Sequence, residues 1–238
     1  MEKDKLTEKL FIYQGKNTFR YGIDAVLLAH FAGGLKGRVV DLGTGTGILP
    51  LLLSTSRSIS EIHGVELQVE ALTYARASIR DNGLEDRIYL HQGDLMEIHH
   101  LFERETMDGV ISNPPYFRKG HGLICDDLPR ALARIEVAMS LEGLIQAADY
   151  LLRPKAPLYM IYRPRRLPEL LSLLVKHKLE PKRLRFVHPR KGKDANLVLV
   201  EARKAGGAHC HIEPPLFVYE EDDYTEEILS IYKELSMR

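Results

Sequence analysis

Cysteine is scarce in this chain of 238 residues: there are two, Cys125 and Cys210, with no CxxC spacing around either. That excludes a disulfide framework or a zinc site of the usual kind and fits a reducing compartment. Long hydrophobic runs are also missing. The longest, such as residues 48–53, fall far short of the roughly 20 apolar residues that a membrane helix needs. The opening Met1-Glu2-Lys3-Asp4-Lys5 has charges but no apolar stretch behind them, so a signal peptide is not expected. A cytoplasmic protein without membrane contact is the expectation. An excess of one charge is absent too, since 33 Lys and Arg balance 33 Asp and Glu. With 45% hydrophobic and 28% charged residues, the composition is that of an ordinary folded protein and not of a disordered one.

The even balance conceals an asymmetry. Residues 151–205 carry 15 Lys and Arg against four Asp and Glu, an excess of about +11, and the compensating acids lie in the first half and in residues 220–227. Such a segment suits a polyanionic partner, because each phosphate neutralised releases counterions. A scattered, solvated basic surface would leave the same signature, and charge alone does not choose between them.

No repeat or low-complexity tract interrupts the chain. Apolar runs and their stops predict helices over 22–31, from 48, over 69–82, over 130–152 and over 168–177, and a last one over 219–232 packed on the core. Strands are predicted over 38–42, 61–66, 87–91, 108–112, 157–162, 184–187 and 196–201. Strands alternating with helices imply a mostly parallel sheet covered on both faces. The last two strands have only residues 189–194 between them and should form an antiparallel hairpin. The length suits one domain, residues 1–238, with an extension and covering helix over 1–35, a core over 36–205 and a C-terminal extension over 206–238.

Two motifs carry chemistry. Asp41-Leu42-Gly43-Thr44-Gly45-Thr46-Gly47 falls between a strand and a helix, where glycines let the backbone turn tightly and approach a ligand. The spacing is GxGxG and not the GxGxxG of pyrophosphate-binding loops. Alone it is also a common structural turn. Glu66 closes the next strand, about 20 residues on, the usual distance for an acid that binds ribose hydroxyls. Asp94 closes the third. One acid at a strand end is usually a solvated carboxylate; three at successive carboxyl edges of one sheet mark where open α/β sheets bind ligands. The second motif, Asn113-Pro114-Pro115-Tyr116, follows the fourth strand. Its prolines fix φ and remove donors, leaving the Asn113 side-chain oxygen and the Pro114 carbonyl as outward acceptors, with Tyr116 and Phe117 as faces for stacking.

The Gly-rich loop resembles motif I of the S-adenosylmethionine-dependent methyltransferases, and NPPY resembles the signature of those acting on planar nitrogen: adenine N6, guanine N2 or glutamine N5. The whole chain is similar to the seven-stranded class I methyltransferase fold, an α/β sheet closed by an antiparallel hairpin. The resemblance implies that Asp41, Gly43, Thr44, Gly45 and Gly47 hold the amino-acid end of S-adenosylmethionine. It places the ribose at Glu66 and Leu67, the adenine at Asp94 and Leu95, and Asn113 where cofactor and substrate meet. Two acceptors holding an exocyclic amine would localise a lone pair otherwise delocalised into the ring, and no nucleophilic side chain or metal is needed.

Three further segments narrow the family. They are residues 19–28, Arg163-Pro164-Arg165-Arg166-Leu167 after the fifth strand, and His188-Pro189-Arg190-Lys191-Gly192-Lys193-Asp194 leading into the last strand. With NPPYF they resemble the bacterial tRNA1(Val) (adenine-N6)-methyltransferases, over nearly the full length. That implies a tRNA substrate, an anticodon-loop adenine, Arg190, Lys191 and Lys193 on RNA, and neither DNA nor an obligate protein partner. One departure is Ala133-Arg134-Ile135-Glu136, where an Ala-Arg-His-Glu stretch is expected. A release-factor glutamine-N5 enzyme would need an N-terminal helical domain, for which the residues before Asp41 leave too little room. A guanine-N2 rRNA enzyme, or a cofactor-binding activator subunit without activity of its own, are the remaining alternatives.

Overall fold

A computed structural model describes residues 1–15, 22–114 and 140–237. In chain order the elements are β1 (Glu2–Lys5), β2 (Phe11–Gln14), α1 (Ile23–Phe31), β3 (Gly37–Leu42), α2 (Ile48–Leu53), β4 (Ile59–Glu66), α3 (Val69–Asp81), β5 (Ile88–Gln92) and β6 (Gly109–Ser112). There follow α4 (Leu141–Leu151), β7 (Pro157–Tyr162), α5 (Leu167–Lys176), β8 (Leu179–His188) and β9 (Leu197–Lys204). Short strands β10 (His211–Ile212), β11 (Leu216–Phe217), β12 (Tyr219–Glu220) and β13 (Asp223–Tyr224) precede α6 (Glu226–Met237).

The main sheet has the order β10-β8-β9-β7-β6-β3-β4-β5, with β11 also on β8. Strands β3 to β7 are mutually parallel, and β9 runs antiparallel to both β7 and β8, closing the sheet with the expected hairpin. This is the α/β arrangement anticipated from the alternation of elements. Buried side chains divide between its faces: Val39, Ile62, Ile111 and Leu199 with α1, α2, α3 and α6 on one, Val40, Leu42, Val110 and Val200 with α4 and α5 on the other. Side chains of successive strand residues point to opposite faces, so a continuous apolar strand fills both cores.

Three elements differ from expectation. The first is the N-terminal hairpin β1–β2, whose Ile12, with the neighbouring Leu6 and Leu10, is buried in the core and which polar contacts from α3 tie down. Asn82 brackets it, its Oδ1 accepting from the Phe11 N–H at 3.0 Å and its Nδ2 donating to the Phe11 carbonyl at 2.7 Å. Ser78 Oγ accepts from the Tyr13 N–H at 2.9 Å. The second is the helix expected from residue 130. Its described part begins at Leu141, where Ser140 adopts an extended backbone and accepts the Gly143 N–H at 3.0 Å as an N-cap; residues 130–139 lie outside the described part. The third is residues 219–224, which form the β12–β13 turn and not helix. Four consecutive acids, Glu220 to Asp223, repel one another in a helix, Glu221 takes φ +50°, and Tyr219 pairs across the turn with Tyr224. The helix starts only after Thr225, with Glu226 and Glu227 in its first turn, where acids favour the dipole.

Candidate active site

The sheet order defines where a ligand can bind. From β3 the chain moves outward through β4 and β5, then returns to place β6 on the other side of β3. The crevice beyond the carboxyl ends of β3 and β6 is therefore a topological switch point, the position at which open α/β sheets hold ligands. Register places the two motifs there together, for Asp41 is paired with Ile111, two residues before Asn113. Ser112 locks the junction, its buried hydroxyl donating to the Leu42 carbonyl at 2.7 Å. A lone serine ending a strand gives no functional signal in the sequence, and its role is visible only once β3 and β6 are neighbours.

The Gly-rich loop folds back on β4. The amides of Gly43 and Thr44 both donate to the Val65 carbonyl, at 2.9 and 3.0 Å, and Gly43 and Gly45 take φ of +77° and +56°. Those values lie in the left-handed region, which carries a steric cost for residues with a Cβ. Gly64 of β4 makes room beneath the loop, because a Cβ there would come within 2.9 Å of Thr44 Cγ2 and of Leu90. Sequence reasoning passed over Gly64, although an isolated glycine inside an apolar strand signals a close approach.

The three acids differ in their surroundings. Glu66 is buried and braces the loop, Oε2 accepting the Gly45 N–H and Oε1 the Gln68 N–H, both at 2.9 Å. Asp94 is half-buried, and its Oδ1 accepts the Met96 N–H at 2.9 Å, capping a short 3-10 turn over Leu95–His100. Asp41 is 1% exposed, and neither of its oxygens has a hydrogen-bond partner; nor does the buried Thr44 Oγ1. Burial raises the Asp41 carboxyl to about 7, the nearby Thr44 side chain opposing the rise and the charge of Glu66 adding to it. Thr44 lies close enough to pull on the charge without the geometry of a hydrogen bond. Two orphaned carboxylate oxygens beside a Gly-rich loop fit the ammonium end of an amino-acid ligand.

The remaining predicted positions are placed as follows. Asn113 is half-buried and Pro114 buried at the end of β6. Pro115, Tyr116 and Phe117 lie outside the described residues, as do Ile135 and residues 19–21. Gly47 takes φ +84° ahead of α2. Leu67 is 38% exposed at the same edge as Glu66, whereas Leu95 is buried in the core, so only its main chain could face a ligand. Arg190, Lys191 and Lys193 are exposed in the loop that follows β8, and β8 runs parallel to β7 by way of β9, so this loop stands on the same carboxyl edge as Asn113.

The basic segment is less free than its count suggests. Arg183 contacts Glu201 and Glu213 at 3.1 Å, Arg185 contacts Glu227 at 2.6 Å, and Lys204 contacts Glu105 at 2.9 Å. Arg166 pairs with Glu169 and Lys176 with Glu142. These cations staple the sheet edge to its surroundings. Arg165, Lys178, Lys191 and Lys193 make no ion pair among the described residues, and Arg190 has the almost fully exposed Asp222 at 3.1 Å. His99 and His100 are exposed beside Glu97.

A parallel sheet with a switch-point crevice, a Gly-rich loop and an Asn-Pro pair beyond it defines the chain as a class I methyltransferase fold. Residues 21–169 match the methyltransferase small domain family. A tRNA1(Val) (adenine(37)-N6)-methyltransferase of Porphyromonas gingivalis is 32% identical over 196 residues, covering 79% of this chain and 76% of the relative. One of Parabacteroides distasonis is 27% identical over 237 residues, covering 97% and 96%. Among solved structures, a predicted O-methyltransferase from Agrobacterium tumefaciens superposes with a TM-score of 0.72 at 24% identity, covering 90% of this chain and 97% of its own, a likeness of fold. The chain belongs to the methyltransferase small domain family and, within it, to the tRNA1(Val) (adenine(37)-N6)-methyltransferases.

Proposed function

We propose that this protein transfers a methyl group from S-adenosylmethionine to the exocyclic N6 of an adenosine in tRNA, in the anticodon loop. The observation that carries this reading is the register of β3 on β6, which sets Asp41 and its loop against Asn113 and Pro114 at one crevice. S-adenosylmethionine supplies a methyl group made electrophilic by its sulfonium.

The rest belongs to the chain's own residues. Asp41 receives the ammonium of the cofactor's amino-acid end, which restores a partner to its two orphaned oxygens. Each Glu66 oxygen accepts one backbone N–H and retains acceptor capacity for a ribose hydroxyl. The exposed Leu67 stands beside Glu66 at the ribose, Asp94 flanks the adenine, and the buried Leu95 contributes its main chain there. Asn113 Oδ1 and the Pro114 carbonyl hold the two hydrogens of the target amine, draw the nitrogen toward tetrahedral geometry and accommodate the positive charge that develops on it. Tyr116 and Phe117 offer the stacking faces. The loop containing Arg190, Lys191 and Lys193 approaches the RNA backbone from the same edge. The relatives' names, each a tRNA1(Val) (adenine(37)-N6)-methyltransferase, support the choice of adenine in tRNA over guanine in rRNA or glutamine in protein.

The test is methyl transfer into total tRNA by the wild-type protein and by Asn113→Ala, with cofactor affinity measured by calorimetry in parallel. The expected result is unchanged cofactor binding with transfer lost. Retained transfer by Asn113→Ala would remove Asn113 from the chemistry.

A further inference from the structure

Outside the crevice, the C-terminal appendage carries a column of aromatic rings. Tyr219 and Tyr224 face each other with centroids 5.2 Å apart and planes at 17°, and Tyr224 continues onto Tyr232 at 5.9 Å and 29°. Tyr219 and Tyr224 are each 37% exposed. The Arg190 guanidinium stands 6.0 Å over the Tyr219 ring.

The column stands on the carboxyl edge. Val218 and Tyr219 donate their N–H groups to the carbonyls of His188 and Pro189, at the end of β8, each at 2.9 Å. Helix α1 leads by a short turn into the start of β3, so its own beginning at Ile23 lies toward the opposite, carboxyl edge. Between that beginning and the column is a cleft of about 510 Å³, lined by Tyr224, Tyr232, Gly22, Ile23, Gln14, Asp4 and Lys5. Gln14 is 1% exposed, and neither the oxygen nor the nitrogen of its amide has a hydrogen-bond partner. A buried amide left in that state is rare, and one donor beside one acceptor is the pair that a nucleobase edge complements.

We propose that the Tyr219–Tyr224–Tyr232 column, with Arg190 at its outer end and Gln14 in the wall of the adjoining cleft, docks an unpaired nucleotide of the RNA substrate that is not the methylated one. This rests on the reading of RNA as substrate. The rings cover one another's faces, so the base would lie against their exposed rims in the cleft beside Gln14, while Lys191 and Lys193, with Arg190 shared with Asp222, supply charge for its phosphates. A loop nucleotide held there would fix the RNA against the edge and leave a neighbouring base to enter the crevice by Asn113. The acids Glu220 to Asp223 between the two strand tyrosines disfavour phosphate at the tip of the turn, so the backbone is expected on the Arg190 side.

The experiment measures affinity for an unmodified anticodon stem-loop RNA, by fluorescence anisotropy, with methyl transfer into the same RNA measured in parallel. The variants are Tyr219→Leu with Tyr224→Leu, and Tyr219→Phe with Tyr224→Phe. The Leu pair should bind about tenfold more weakly and raise KM by the same factor, with kcat and cofactor affinity unchanged; the Phe pair should match wild type, since it retains the rings. Gln14→Leu should weaken binding several-fold while thermal stability holds or rises, because an orphaned amide is removed. Unchanged RNA affinity in the Leu pair, with methyl transfer intact, would overturn the docking column and leave the proposed function standing. Absence of any RNA methylation by the wild type would instead remove the proposed function itself. Equal losses in the Leu and Phe pairs, or a change in self-association without loss of RNA affinity, would also overturn it.

Discussion

The substitution Asp41→Asn should stabilise the protein freed of bound small molecules, and increasingly so as pH rises. In the folded chain burial lifts the Asp41 carboxyl from its ordinary value of 3.8 to about 7. A raised carboxyl pKa means that the folded state binds a proton the unfolded state has released. The penalty is absent below the unfolded value, grows between about pH 4 and pH 7, and is complete above that. A carboxyl at about 7 in place of 3.8 corresponds to about 4 kcal/mol at full extent. The amide of the Asp41→Asn variant would carry no charge to desolvate, at the constant cost of an unpaired polar group of about 1–3 kcal/mol. The pH dependence is therefore the discriminating quantity. Urea unfolding of both proteins at pH 5 and pH 8 should show the variant gaining about 3 kcal/mol on wild type between the two. The same variant should lose most cofactor affinity, since its neutral amide oxygen offers an ammonium no opposite charge. A difference that stays flat with pH would show that Asp41 does not carry an uncompensated buried charge, and the assignment of the ammonium end would fall with it.

Further outcomes follow from the same geometry. Gly64→Ala forces a Cβ against Thr44 and Leu90, and should cost about 2 kcal/mol and lower Tm by several degrees in a calorimetric scan. Arg87 donates to the carbonyls of Ser54, Ser56 and Ile59 at 2.7, 3.0 and 2.7 Å, so Arg87→Ala should lose about 3 kcal/mol in urea unfolding without change in the crevice. Neutralising Arg190, Lys191 and Lys193 together should weaken RNA binding and reduce the slope of log affinity against log salt by at most about 2, with cofactor affinity unchanged.

The parallel core was legible because each strand is apolar on both faces and each helix follows by a short connection. The GxGxG loop and the acids after β4 and β5 were legible for the same reason: their spacing ties them to strand ends. What escaped is nonlocal. The β1–β2 hairpin depends on Asn82 and Ser78, more than 60 residues away. The pairing of Arg183 with Glu213 and of Arg185 with Glu227 joins residues that no spacing rule connects, so the basic segment read as more open than it is. Ser112 became meaningful only when β6 was found beside β3, whereas Gly64 carried the signal of a lone glycine in an apolar strand and was passed over. From Tyr224 onward apolar residues recur at helical spacing (Ile228, Ile231, Tyr232, Leu235), which draws the helix back too far; the four successive acids ahead of Tyr224 decide for a turn.

The central claim is that the crevice between β3 and β6 presents an adenine N6 of tRNA to S-adenosylmethionine. Its most direct test is incubation of the protein with methyl-labelled cofactor and undermodified total tRNA, followed by nuclease digestion and mapping of the labelled nucleoside. The predicted result is N6-methyladenosine at one anticodon-loop position, abolished by Asn113→Ala. Label in guanosine, in rRNA or in protein would contradict it.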